Sequence, residues 1–195
     1  MANRETGTEQ LIKDTARRIF LIEGKLHATT ADIAKEAGIP RTSVHYYFRS
    51  RDILFRQVFD EALKDLTNRL NDVLESKLSF KVKIENFVTV VTEETLLYPY
   101  LETFVVTEII SQQFILPDKS MPEKWSVFVI EVKKEMEKGI IHEMDPLQFI
   151  LNLFALMAYP AISAPLYTKL FNISDARFRE LLEGRKEVIL KLIFK

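Results

Sequence analysis

Side chains that can donate hydrogen bonds to an anionic partner are concentrated between positions 41 and 51. Arg41, Thr42 and Ser43 stand in a row, and the segment 45–51, HYYFRSR, follows almost directly. Guanidinium, hydroxyl and phenol groups are donors that proteins use on phosphate oxygens and base edges. An aromatic hinge with solvated arginines would have the same composition. The elements that carry these residues must therefore decide between the two interpretations.

The residue sets that catalysis and metal binding need are missing from the sequence. The three histidines are His27, His45 and His142, and none lies at the spacing of a helical zinc or di-iron site. There is no glycine-rich phosphate loop and no Gly-x-Ser-x-Gly segment. We therefore predict that the chain is not an enzyme, holds no metal and needs no cofactor.

Composition narrows the fold and the compartment. The chain of 195 residues is 47% hydrophobic, which is enough for a sizeable core, but its 5 Gly and 7 Pro are too few for a turn-rich all-β fold. The absence of cysteine excludes disulfides and cysteine-ligated zinc. Residues 1–9 are too polar for a signal peptide, and the longest apolar run, 149–160, is too short for a membrane span. We expect a cytoplasmic protein without membrane association.

Helical periodicity and Gly, Pro and Ser/Thr/Asp punctuation predict an all-α chain. No segment of any length alternates with the period of a strand. An irregular connection between Pro160 and Pro165 is expected before the last helix. The predicted helices lie at about 8–23, 30–37, 40–47, 51–74, 81–97, 100–114, 122–138, 146–159 and 174–194.

The second and third helices are short and meet at a tight corner. Gly38 suits a left-handed turn residue, and the small Ala34 and Ala37 let two helices cross closely. This pattern predicts a helix–turn–helix motif, which DNA-binding proteins place in the major groove. The outward side chains of its second helix would be Arg41, Thr42, Ser43 and Tyr46.

The charge distribution agrees with a DNA-binding end. Residues 1–51 hold nine Lys/Arg and six Asp/Glu, a net charge of +3, so the remainder must carry −4 to give the total of −1. A basic excess at one end is a weak electrostatic footprint for nucleic acid.

Residues 30–39 (TADIAKEAGI) and 43–54 (SVHYYFRSRDIL) resemble the DNA-binding domain of the TetR family of bacterial transcriptional regulators. The resemblance covers about residues 8–55 without a gap. It implies a three-helix helix–turn–helix DNA-binding domain at 1–52 and a helical-bundle effector-binding and dimerisation domain at 53–195. It also implies a regulator, expected to be a repressor, that binds an inverted-repeat operator in double-stranded DNA as a homodimer and is released by a small molecule.

Individual positions acquire roles through this resemblance. Base contacts are implied for Arg41, Thr42 and Ser43, and phosphate contacts for Thr30, His45, Tyr46 and Arg51. The sequence departs from the family pattern at two sites. His45 stands where the family usually has Tyr, and Pro40 replaces a common polar cap.

The region between residues 87 and 159 is rich in aromatic side chains, most of which we expect in the core. The resemblance favours a cavity among them for a small, largely apolar effector. Glu108 stands among apolar neighbours, so its carboxylate is expected either on the far face or partnered inside. The candidate pocket residues are Phe104, Glu108, Trp125, Phe128 and Phe154.

The last two predicted helices are apolar on more than one side, which calls for partners on both sides. A two-fold dimer through a four-helix interface would supply them. The candidate interface residues are Leu153, Met157, Phe178, Leu182 and Ile189. One alternative stays open at this point: a helical ligand-binding protein that does not bind DNA.

Overall fold

The structure, a computed structural model, describes residues 2–111 and 115–195, with side chains from residue 7 onward. Within those ranges every regular element is helical, and the one extended contact is an isolated bridge between Ile141 and Phe194. The all-α prediction is confirmed. The helices are α1 (Ala2–Arg17, continued by a π-helical turn, Arg18–Ile22), α2 (Thr30–Glu36), α3 (Arg41–Phe48), α4 (Arg51–Glu75), α5 (Phe80–Leu97), α6 (Leu101–Ile110), α7 (Met121–Glu137), α8 (Pro146–Ile162), α9 (Ala164–Leu170), α10 (Asp175–Glu183) and α11 (Arg185–Ile193).

Short-range signals in the sequence set most of the helix ends. Gly24 and Gly38 take positive φ angles of 64° and 67°, so each stops a helix in the left-handed conformation that glycine adopts without cost. The Asp145 carboxylate accepts the N–H of Leu147 at 2.8 Å, just before α8 begins at Pro146. Because these are local effects, they could be predicted within a few residues.

The structure corrects the prediction in the last third of the chain. The predicted irregular connection after residue 159 is wrong: α8 runs through Pro160 to Ile162, and α9 follows at an angle of 65°. The predicted last helix is divided at Gly184 into α10 and α11. At the other end, α1 begins at Ala2 rather than near residue 8. The predicted end of the sixth helix, 112–114, lies outside the described residues.

Proline is tolerated inside α8 because a side chain replaces the hydrogen bond that it removes. Pro160 has no N–H to donate to the carbonyl of Leu156, four residues earlier. The Arg185 guanidinium donates to that carbonyl instead, from Nε at 2.9 Å and from Nη2 at 2.7 Å. This contact lies between α8 and the first residue of α11, so it also fixes how the two helices pack.

The described side chains form two hydrophobic cores. The first core joins α1, α2, α3 and the first half of α4, and it includes Phe20, Leu54 and Phe59. The second core joins the end of α4 with α5, α7, α8 and α11 around Phe87, Val132 and Leu153. The chain therefore has two packing centres, with α4 passing from one to the other.

Helix α6 belongs to the first core, although it is distant from it in sequence. Its Leu101 and Phe104 are buried there, and the Tyr100 N–H donates to the Leu21 carbonyl at 3.1 Å. The Tyr100 ring covers Gly24 so closely that a Cβ at position 24 would collide with it. The first core thus extends past residue 52, where the sequence predicted a domain boundary.

Membrane-spanning potential is low in the part of the chain that the structure describes. No single helix there is long and apolar enough to cross a bilayer. Helices α8 and α9 meet the criterion only when they are taken together across their bend.

Candidate DNA-binding surface

The corner between α2 and α3 is built from local contacts. Thr29 and Asp32 form a capping box: the Asp32 carboxylate accepts the Thr29 N–H at 2.8 Å, and Thr29 Oγ1 accepts the Asp32 N–H at 3.2 Å. The Thr29 N–H and hydroxyl both donate to the Asp32 carboxylate and hold the pKa of that carboxyl below its ordinary value. After Gly38, the Ile39 N–H donates to the Ala34 carbonyl at 3.0 Å. The corner is thereby fixed by its backbone.

Buried side chains determine which face of α3 is left for a partner. Val44 and Phe48 are fully or almost fully buried in the first core. Arg41, Thr42 and Tyr46 project from the opposite side, and Tyr46 is 73% exposed. The structure therefore brings these predicted contact residues together on the outer face of one short helix.

Ser43 and His45 lie beside that face. Ser43 is half-buried, so it lies at the edge of the outer face rather than on it. His45 is exposed, and its Nδ1 lies 2.9 Å from the Arg49 carbonyl. With Nδ1 engaged in this way, Nε2 is the ring nitrogen that remains available to a partner.

Thr30 lies in the interior instead of at the surface. It is 6% exposed as the first residue of α2, so its hydroxyl is not presented to a phosphate in this conformation. The family resemblance implies a phosphate contact there, and that contact stays a prediction.

Arg51, for which the resemblance implies a phosphate contact, is partly exposed and has partners within the chain. Its guanidinium donates to the Leu26 carbonyl, to Ala28 O at 3.4 Å and to Asp52 at 2.9 Å. The guanidinium carbon also lies 5.1 Å from the ring centre of Phe20 and 5.3 Å from that of Phe55. A phosphate contact by Arg51 would have to replace these interactions.

Most cations of the first 51 residues are paired with acidic groups. Glu61 binds Lys13 at 2.9 Å and Arg17 at 3.1 Å, and Glu23 binds both Arg18 and Lys25. In contrast, three exposed cations have no acidic partner among the described side chains, and they are Lys35, Arg41 and Arg49. Sequence reasoning missed Lys35 and Arg49 because it counted charges without knowing their partners.

The five candidate effector residues divide between the two cores. Phe104 packs against Phe55, with ring centres 4.8 Å apart, and Glu108 is 8% exposed and accepts from Arg56 at 2.5 Å. The buried Glu108 carboxylate is thus paired with Arg56, which agrees with one of the two expectations for this residue. These two residues lie beside the first core, between α4 and α6.

The other three candidates surround Phe87 in the second core. Trp125 and Phe154 both meet the Phe87 ring edge-on, with centres 5.8 and 5.9 Å away. Phe128 contacts Trp125 at 5.7 Å. Because Trp125 is half-buried and Phe154 is 37% exposed, this aromatic cluster reaches from the interior to the surface. Among the described residues, the five candidates thus lie at two places, Phe104 and Glu108 beside the first core and the other three in the aromatic cluster.

The predicted dimer residues are largely used within one chain. Leu153, Met157 and Ile189 are at most 5% exposed, Phe178 is 9% exposed and Leu182 is half-buried. The same helices carry exposed apolar side chains next to these positions. Tyr159, Leu181, Val188 and Leu192 line a groove of about 700 Å³ between α8, α10 and α11. Two of the predicted residues, Phe178 and Leu182, also line this groove, and the dimer interface stays a prediction.

Metal ligands do not cluster in the part of the molecule that the structure describes, where no three His, Asp or Glu side chains could share an ion.

Comparison with known proteins agrees with this architecture. Residues 12–58 match the family model described as bacterial regulatory proteins, tetR family. No protein of curated function matches closely enough to count as a relative.

Three solved structures have a similar fold at low identity. A linker-substituted mutant of HlyIIR has a TM-score of 0.68 and 20% identity, and the match covers 98% of this chain and 97% of that one. A TetR family transcription regulator from Marinobacter aquaeolei VT8 gives 0.61 and 13% over the whole of both chains. A TetR-family transcriptional regulator from Haemophilus influenzae RD gives 0.54 and 18%, covering 98% and 99%.

The structural likeness establishes the fold, and the family match covers α2, α3 and the parts of α1 and α4 that hold them. Over residues 12–58, this chain is similar to the tetR family of bacterial regulatory proteins.

Proposed function

We propose that the protein is a transcriptional repressor that binds double-stranded DNA through the outer face of α3. The observation that carries the proposal is the grouping of Arg41, Thr42 and Tyr46 on a helix whose other side is fixed in the first core. An exposed helix with guanidinium, hydroxyl and phenol donors suits the major groove, where base edges and phosphates are both within reach.

A homodimer follows from the groove between α8, α10 and α11. Leu192 and Tyr159 are more than half exposed in the single chain, which is costly for apolar side chains unless another surface covers them. A second copy that packs its own α8 and α11 on this groove would form a four-helix interface. Two-fold symmetry then predicts an inverted-repeat operator, with recognition helices about 34 Å apart.

The effector we propose is a small, largely apolar molecule bound at the aromatic cluster of Phe87, Trp125, Phe128 and Phe154. Helix α4 links this region to the DNA side, because it begins at Arg51 and ends at Glu75 beside the second core. A molecule that binds more tightly when α4 is tilted would separate the two α3 helices from their DNA spacing and release the operator. A coupling of about 1–3 kcal/mol would weaken DNA binding about 5- to 150-fold.

The test is selection of duplexes from a random-sequence pool, followed by binding measurements on the enriched sequence. We expect an inverted repeat and a stoichiometry of two chains per site. Replacing Arg41 by Ala should relax base preference at particular positions, with a loss of about 1–3 kcal/mol for a good contact. Lys64→Ala is the matched control, since Lys64 is an exposed cation of α4 away from the α3 face. Failure to enrich any duplex would favour a ligand-binding protein without DNA binding.

A further inference from the structure

We infer that Arg51 is a positioning residue for the helix–turn–helix, and that Arg49 supplies the phosphate contact at this edge of the DNA-binding surface. The inference rests on the proposed DNA-binding function and refines it. The two arginines are two residues apart in sequence, but the structure uses them differently. The partly exposed Arg51 is held by hydrogen bonds and ring contacts, whereas Arg49 faces solvent.

Each of the three nitrogens of the Arg51 guanidinium donates one hydrogen bond within the chain. Nε and Nη2 donate to the carbonyls of Ala28 and Leu26, which belong to the turn that leads into α2, and Nη1 donates to Asp52. Arg51 is itself the first residue of α4. Its side chain therefore ties the start of α4 to the turn before α2 and limits how the two can move apart.

The guanidinium also lies close to two aromatic rings that come from different helices. Phe20 belongs to the end of the first helix and Phe55 to α4, and these two rings meet edge-on at 5.3 Å. A planar, delocalised cation can stack on such rings and donate in several directions at once, whereas the compact ammonium of lysine cannot do both. The chemistry at position 51 is thus specific to arginine rather than to positive charge.

Arg49 has the opposite environment. It is exposed, and its guanidinium has no partner among the described residues. It follows directly after α3, and its carbonyl is held by His45 of that helix at 2.9 Å. The side chain is therefore anchored at its base beside His45 and Tyr46 and is free at its tip, which suits a phosphate ligand.

The backbone at Arg49 offers a clean variant for the test. Its φ angle is 58°, in the left-handed region where glycine is favoured over residues with a Cβ. Arg49→Gly removes the charge and relieves this conformation, so the melting temperature should stay the same or rise. A loss of DNA binding in this variant cannot then come from unfolding.

The experiment compares the wild type, Arg49→Gly and Arg51→Lys. The probes are the duplex most enriched by the wild type from a random pool and a mixed-sequence duplex of equal length. The dissociation constant is measured against salt concentration at a temperature well below every melting point. Each lost phosphate contact should flatten the dependence of log K on log salt by about 0.9.

For Arg49→Gly we expect the slope to fall by about 1.8, one contact from each subunit of a dimer. For Arg51→Lys we expect the wild-type slope, a melting temperature lower by several degrees, and a fall of tenfold or more in the preference for the enriched over the mixed duplex. Misplacement of α3 weakens base readout, while the phosphate contacts remain.

Two results for Arg51→Lys would overturn the assignment. Full retention of sequence preference with only a lower melting temperature would mean a purely structural role. Wild-type stability with wild-type affinity would mean that any cation suffices there. An unchanged slope for Arg49→Gly would overturn the assignment of the phosphate contact to Arg49, whether or not Arg51→Lys folds normally. A wild type that binds no duplex at low salt would instead refute the proposed function itself.

Discussion

The two cores differ in how completely a single chain can close them. In the first core, Phe20, Leu54 and Phe59 are at most 1% exposed. Apart from the Tyr46 phenol, the surface over α3 is mostly polar. Around the second core the chain buries Phe87 and Leu153 just as fully but leaves Leu147, Leu151 and Leu192 about 60% exposed on the same helices. A single chain therefore covers the first core with polar groups, whereas it leaves apolar side chains exposed on the helices of the second core.

This difference separates two kinds of functional surface. At the DNA-binding end, the residues proposed for contact are polar groups left over after a complete core has formed. At the other end, the apolar side chains themselves are the surface, and in the proposed dimer a second copy would bury them. Stability and association should therefore respond to mutation in opposite ways in the two regions.

The largest expected effect comes from placing charge in the open groove. Val188→Asp with Leu192→Glu would bury unpaired carboxylates in a dimer interface, and this should give monomers at micromolar concentration. A monomer reaches only one half-site, so affinity for the enriched duplex should fall towards its non-specific level, about 1000-fold or more. Light scattering and DNA titration provide the measurements.

The control for the groove variant is Leu97→Glu. Leu97 is 52% exposed at the end of α5 and is not part of the groove. The Leu97→Glu variant should therefore keep the wild-type oligomeric state and DNA affinity. A double groove variant that remains dimeric would show that the copies associate through another face.

The next largest effect is expected from a substitution in α6, which tests whether this helix belongs to the first core. Phe104→Ala removes a ring that packs on Phe55 and Phe59, and it should lower the free energy of unfolding by about 3–5 kcal/mol. Phe154→Ala is the matched change in the aromatic cluster, where the ring is 37% exposed, and it should cost clearly less. Urea unfolding at fixed protein concentration measures both, and equal losses would mean that the two regions are equally well packed.

A smaller effect concerns the proline inside α8. Arg185→Met leaves the Leu156 carbonyl without its two donors, which should cost about 1–3 kcal/mol. Pro160→Ala restores a backbone N–H four residues after Leu156, so Arg185→Met should cost less in that background. A double-mutant cycle of unfolding free energies measures the coupling. Strictly additive losses would contradict the proposed compensation.

The smallest effect is a pH dependence at the loop before α7. The Ser120 N–H and hydroxyl donate to Asp118 and, with Lys124 nearby, lower the pKa of that carboxyl from 3.8 to about 2. A folded-state pKa below the unfolded one stabilises the fold above pH 3.8, and this contribution is lost as pH falls towards 2. The melting temperature of Asp118→Asn should lie below that of the wild type at pH 5 and approach it near pH 2. Asp72→Asn, at an exposed aspartate of α4, is the control, and it should shift less at pH 5.

The sequence predicted the parts of this molecule that depend on near neighbours in the chain. The corner at Gly38, the cap at Asp145 and the outward face of α3 follow from spacing and residue type. The groove face, the inward turn of Arg51 and the division of the aromatic residues between two cores depend on contacts between positions far apart. Arg51 finds its carbonyl partners 23 and 25 residues earlier, and no periodicity in the sequence marks them.

The close fit of Tyr100 over Gly24 bears on how such regulators can be recombined. The ring occupies the volume that a Cβ at position 24 would need, so any other residue at position 24 would have to displace the Tyr100 ring. A chimera that joins the first fifty residues of this chain to the body of another regulator would inherit the glycine without its tyrosine. The two positions form a single exchangeable unit. A graft that transfers both should keep communication between the two halves intact, and one that divides them should fold with its halves uncoupled.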